Sequence, residues 1–379
     1  MIRSFVIALT LAFVASPAGA QTGAQSNQQT EQPPRTYTQA ELWNRSGDRI
    51  SFTLAGISFP AEIGAMRIDR ISEASREGRG LDNTILFMSP DRQVFATVYV
   101  YAPALADVGL TAFMTDHAIR LQSDSGLRAT GGGIVAAGGR EGVAIRTDYT
   151  GYRTARLASS AALMRAGGWI VKLRVSGPGE RRAEVEQAMT ALLRDLRFGD
   201  EVAPSPARAV ATGNCARESG RAARRDPTDQ AEAMEDAIMG HRIGAAVEGR
   251  TGPLWCPSSH FRLPNMSGPT PVLRATADAG GEDSRRSVLV ALIADNGTMV
   301  EVVQRRFRGR TRFVLMHHQI GRSVVLGSYD AVPTDEQIAN ILTGADREGG
   351  QARAVIDYEA SGDSRVTLIA APAPATPTT

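Results

Sequence analysis

The chain has 379 residues, 42% of them hydrophobic and 22% charged, the composition of a folded globular protein, and at roughly 150 residues per domain the length suggests two domains. Forty-two basic residues against forty acidic ones leave a formal charge of +2, which argues against a nucleic-acid protein driven by bulk charge. Lys172 is the only lysine; the arginine skew, with abundant Ala and Gly, points to a GC-rich bacterial genome more than to a selected chemistry.

Residues 1–20 read as a signal peptide. Arg3 supplies a positive start, residues 5–14 are a ten-residue apolar run, and Ala18-Gly19-Ala20 is the small-residue pattern of a cleavage site. Ten apolar residues cannot cross a bilayer that needs about twenty, and no other stretch is apolar enough to span one. No cysteine follows the small residues, which closes the lipoprotein route. The expected mature protein starts at Gln21, is periplasmic or secreted, and has no transmembrane segment. Residues 21–36, rich in Gln, Thr, Ser and Pro, are expected to be a disordered leader.

Residues 37–199 read as the first domain. Strands are expected at 49–54, 84–88, 94–101, 142–149, 154–164 and 169–175, the last two joined by a hairpin at Ala166-Gly167-Gly168. In 94–101 both faces carry apolar or aromatic bulk, which fits a central strand. Helical spacing of Leu110, Phe113, Met114, His117, Ala118 and Leu121, and again of Val185, Ala188, Met189, Leu192 and Leu196, predicts two amphipathic helices. Gly131-Gly132-Gly133 and Gly138-Gly139 are read as turn glycines; they precede a strand, so no helix N-terminus stands ready for a phosphate.

Residues 200–225, with Pro204, Pro206, Gly213 and Gly220 and no hydrophobic period, read as a linker. The second domain, 226–370, opens on a helix start at Asp226-Pro227. Its strongest signal is Asp295-Asn296-Gly297 between apolar runs at 287–294 and 298–303, a tight hairpin. Strands at 311–316 and 323–327 extend it, Thr334 and Gln337 cap a short helix ended by Gly344, and 352–359 pairs with 365–370. Residues 371–379 form a Pro-rich tail. The fold class expected from this order is α+β: two domains, each a mainly antiparallel sheet with one or two packed helices.

Three segments, ISFP at 57–60, ATVYVY at 96–101 and GWIVKLRV at 168–175 running into a terminal helix, resemble the PsbP-like α/β sandwich. The same order is similar to exported bacterial proteins that place an "FP" strand before a "VYVY" strand. The resemblance covers about residues 37–198. It implies an exported module that acts by binding or assembly, with no catalytic residue set to carry over.

In an oxidising compartment, Cys215 and Cys256 are expected to pair, constraining the unfolded chain by roughly 4 kcal/mol. A metal site that uses His260 would lack a fourth ligand and a finger spacing. There is no G-x-S-x-G elbow, H-E-x-x-H, P-loop, EF-hand loop or G-x-G-x-x-G. His117 lies on an apolar helix face and is expected to be a hydrogen-bonded core histidine. In RRFRGRTR at 305–312, an extended strand would align Arg306, Arg308, Arg310 and Arg312 on one face, read first as the solvated side of a half-buried hairpin and, as the alternative, as an anion-binding surface.

These readings converge on an exported, non-catalytic binding or assembly module of the bacterial cell envelope. Its partner is an envelope protein or an anionic ligand; no cofactor, metal or nucleic acid is expected. The competing reading is an envelope hydrolase with an unfamiliar site built from His241, His260, His317 or His318 and a carboxylate. A structural spacer is the third.

Overall fold

The computed structural model describes residues 35–369 except 76–77, 124–125, 152–155, 201, 214, 216–220, 227–253, 265, 277–284 and 308–309. The expected signal peptide, the tail, the helix after Asp226-Pro227, His241 and Arg308 lie outside the described residues.

A short helix α1 (Gln39–Leu42), held by a Thr38–Glu41 capping box, leads into β1 (Trp43–Ser46), β2 (Arg49–Phe52) and β3 (Ile57–Pro60). Then follow β4 (Glu62–Ile63), β5 (Met66–Glu73), β6 (Asp82–Met88), β7 (Phe95–Tyr101) and the helix α2 (Val108–Leu121). Strands β8 (Arg128–Ala137), β9 (Arg140–Gly151), β10 (Leu157–Ala166) and β11 (Trp169–Pro178) precede α3 (Arg182–Asp195) and β12 (Arg197–Phe198). One antiparallel sheet has four strands in the order β1-β2-β3-β12, and a second has eight in the order β4-β5-β6-β7-β11-β10-β9-β8.

Alternation decides which side of the second sheet each residue serves. Ala96, Val98 and Val100 of β7 are fully buried in the main core, and α3 lays Val185, Ala188, Met189, Leu192 and Leu193 into that same core. The four-stranded sheet closes it, with Phe52 edge-on to Trp169 at 5.1 Å and tilted against Trp43 at 4.9 Å. The opposite face, which carries Tyr99, Tyr101 and Ile170, takes α2.

The second half begins at β13 (Arg225–Asp226) and continues with β14 (Trp255–Arg262), β15 (Pro269–Ala275), β16 (Arg285–Leu292), β17 (Met299–Phe307), β18 (Arg310–Gln319) and β19 (Arg322–Tyr329). Helix α4 (Asp335–Thr343), β20 (Ala354–Tyr358) and β21 (Ser364–Leu368) complete it. Strands β14 to β21 follow one another in sequence order across a nine-stranded antiparallel sheet, and β13 adds to β19. The expected Asn-Gly hairpin joins β16 to β17, with Gly297 at φ 85°. The expected Thr334–Gln337 capping box opens α4, and Gly344 ends it in the left-handed conformation. Ile338 and Ile341 press α4 onto one face of the sheet.

The expected α+β class is corrected by these sheets. Among the described residues, strands far outnumber helical segments, three antiparallel sheets carry the fold, and the helices are few. The misreading has a local cause. β5, β8 and β14 each contain a bulge, and one extra residue breaks the period of two by which a strand is read. The glycines at 131–133, read as a turn, lie within β8; a side chain at Gly132 would strike the Arg146 carbonyl.

The two halves touch extensively. Leu110 and Met114 of α2 pack with Trp255, Leu273, Val290, Leu292 and Met299 of the second half, so α2 lies between the eight-stranded and nine-stranded sheets. Ala104 N–H donates to the Gln319 carbonyl and Gly321 N–H to the Ala102 carbonyl, both at 2.9 Å. The described part of the expected linker is strapped down. Ser205 bonds Arg165, Ala207 bonds Gly142 and Ala211 bonds Trp255 through the backbone. It crosses the start of α2 at Gly109, where any side chain would meet the Arg208 carbonyl.

Candidate functional site

Among the described residues, five neighbouring strands of the nine-stranded sheet bring together a buried polar cluster. The register sets Met299 of β17 opposite His318 of β18, and His318 opposite Ser323 of β19. Residues two apart share a face, so Glu301, His318, Ser323 and Tyr358 fall on one side. His318 Nε2 lies 2.8 Å from Glu301 Oε2, and Nδ1 lies 2.8 Å from Ser323 Oγ. Ser287 Oγ donates to the other Glu301 oxygen, and Tyr358 Oη lies 3.3 Å from Ser323 Oγ.

Donor logic orders the chain. An ionised Glu301 only accepts, so it takes the Nε2 proton; a neutral ring then offers Nδ1 as acceptor for the Ser323 hydroxyl. Serine, imidazole and carboxylate in that sequence form the relay of a nucleophilic triad. Access is what this relay lacks. Glu301 is 1% exposed, His318 4% and Ser323 0%, and Val303, Val314, Met316, Val325 and Ile356 pack around it. In this setting the relay satisfies buried polar groups.

The other histidines among the described residues do not join it. His317 points to the opposite face of β18, where burial and the neighbouring His318 push its ring down to about 4. His260 is exposed on β14, opposite Pro271. His117 is half-buried and donates to the Pro269 carbonyl at 2.9 Å, which ties α2 to β15; Asp116 turns away from it to Arg120 and Tyr149. Among the described residues no group of three or more His, Cys, Asp or Glu side chains could hold a metal ion.

The arginine stripe is divided by the fold. The chain reverses between Phe307 and Arg310, so Arg305 faces Arg312, Arg306 faces Thr311 and Phe307 faces Arg310 across the ladder. Arg310 and Arg312 therefore share one face and Arg306 lies on the other, where a single strand would have aligned all three. Arg306 and Arg310 are exposed. Arg312 is largely buried, and its Nε lies 3.3 Å from Asp226.

Cys215 and Cys256 form the expected disulfide, with Cα atoms 5.5 Å apart. It ties the end of the strap to β14. Among the described residues no helix is long and apolar enough to cross a membrane.

The first half presents an open groove of about 430 Å³ between α1, the four-stranded sheet and β5. Trp43, Ile50, Ile68 and Ile71 form its apolar floor and walls, and Arg45 and Gln39 supply polar groups. Its construction depends on the β5 bulge between Ile68 and Arg70, which turns Ile68 and Ile71 to the same side although they are three residues apart. That bulge hid the groove from the sequence. Comparison with known proteins adds no identity: no family model matches the chain, and no curated protein matches it.

Proposed function

We propose that this protein is an exported, non-catalytic binding or assembly module of the bacterial cell envelope, working in the periplasm or outside the cell. The observation that carries this reading is the contrast between an open, largely apolar groove at Trp43 and a Ser–His–Glu relay sealed in the core. An apolar concavity with a few polar groups suits recognition, whereas a nucleophile without access turns nothing over. The disulfide and the signal-like residues 1–20 support the compartment. The likeness of residues 37–198 to PsbP-like modules supports action by binding. Exposed Arg306 and Arg310 would favour an envelope protein or other ligand with an anionic surface.

The competing hydrolase reading draws on the Ser323–His318–Glu301 geometry, and one design separates the two. A photo-crosslinking residue at Arg45 or Ile71, but not at Arg140, which does not line the groove, should give a discrete adduct in intact envelopes. The purified protein should leave Ser323 unlabelled by a fluorophosphonate. No groove-specific adduct together with labelling of Ser323 would overturn the binding reading in favour of the enzyme.

A further inference from the structure

In a chain that uses arginine almost everywhere, its single lysine lies buried where the halves meet. Lys172 projects from β11, its side chain 8% exposed, with Nζ 5.1 Å from the centre of the Tyr99 ring. The tip of the β16–β17 hairpin comes down on it. Asp295 Oδ2 lies 2.6 Å from Nζ, and the Asp295 carbonyl accepts from Tyr101 Oη at 3.3 Å. Gly297 lets the tip close onto Pro103, where any side chain would collide. A second carboxyl, Asp82, stands on the same face of the sheet, opposite Tyr101 and close enough for its charge to interact with Lys172.

We propose that Lys172 and Asp295 join through an amide bond between Nζ and Cγ, formed by the folded protein itself, which cross-links its two halves. A primary amine can act as a nucleophile where a guanidinium cannot, because only the amine gives up its proton. In the step, the ammonium passes one proton to Asp82 through an intervening water, and the nitrogen lone pair forms the bond to Cγ. The carbon–oxygen bond then breaks, with its electron pair leaving on oxygen. The proton held by Asp82 and a second proton from nitrogen complete a water molecule. An ammonium and a carboxylate thus become an amide and water, with no oxidant, reductant or net charge change.

Burial and the nearby Glu73 push the Asp82 carboxyl above its usual range, against the pull of Lys172, which suits it to hold that proton in transit. The fold supplies the rest. Groups held in contact react with an effective concentration far above any in solution, and Asp295, 39% exposed, leaves the water a way out.

The test is an intact mass of the reduced, denatured full chain, matched to its measured N-terminus. The expected value is about 18 Da, one water, below the sequence mass, with Lys172 unreactive to an amine reagent and one branched peptide joining it to Asp295. Lys172→Arg and Asp295→Ala should both return the full sequence mass. Asp82→Asn should do so too while leaving the fold intact; if Asp82→Asn still loses the water, the relay assigned to Asp82 is wrong. A parent protein at full sequence mass, with Lys172 open to the reagent, would overturn the cross-link and leave an ion pair.

Discussion

His317 and His318 are neighbours on β18 with opposite surroundings. His318 is bonded at both ring nitrogens, whereas His317 sits between Val300 and Val324 across the ladder and its buried Nε2 has no hydrogen-bond partner. Burial, then the neighbouring His318, holds the His317 ring at about 4. Unfolded, it takes its proton near 6.5. The unfolded state therefore binds more protons between those values, and the stability present above about pH 6.5 is lost as the pH falls towards 4. The ceiling is on the order of 3 kcal/mol. His317→Leu should flatten this part of the curve, which urea unfolding at pH 7 and pH 4.5 would measure. An equal acid loss in parent and variant would place the titration elsewhere. Only half of this contrast could be read from the sequence: alternation puts the two rings on opposite faces, but that Glu301 meets His318 depends on a ladder register, which no single residue carries.

At the scale of elements, the residue just before α2 fixes where the helix starts and what it packs against. Asp107 caps the helix by accepting from Leu110 N–H at 3.0 Å, and its other oxygen accepts from Trp255 Nε1 at 3.1 Å. Burial pushes the Asp107 carboxyl up, against these donors. Asp107→Ala removes the cap and strands a buried indole donor, a loss of about 2–3 kcal/mol. Asp107→Asn keeps one acceptor oxygen, enough to serve the Leu110 N–H, while its amide NH2 would face the Trp255 Nε1 donor, so it should recover only the cap's share of the loss; thermal melts with Trp255 emission would compare them. The two long helices, the Asn-Gly hairpin and the α4 capping box were legible because their signals are local. Each rests on a few adjacent residues. β5, β8 and β14 were not, because a bulge shifts their alternation partway along. The Asp107–Trp255 bond spans 148 positions, and nothing local announces it.

Across the whole molecule, the strap, α2 and the disulfide hold the halves as mutual supports. The strap lies between the sheets as a bonded segment, and the Cys215–Cys256 bridge fixes its far end to β14. Replacing both cysteines with serine should lower stability by up to about 4 kcal/mol, the loop-entropy ceiling for this separation, while leaving the β-rich circular dichroism unchanged. A drop of less than a few tenths would mean that the strap's backbone bonds already order the unfolded chain's loop. The sandwiching of α2 also sets a timetable. Leu110 must wait for Met299 before its apolar side is covered, and a ribosome adding 5–20 residues each second needs about 10–40 s to make the intervening chain. During that interval the first half exists with a bare hydrophobic stripe, and whatever escorts the nascent chain has to shield α2 until the last strands of its cover arrive.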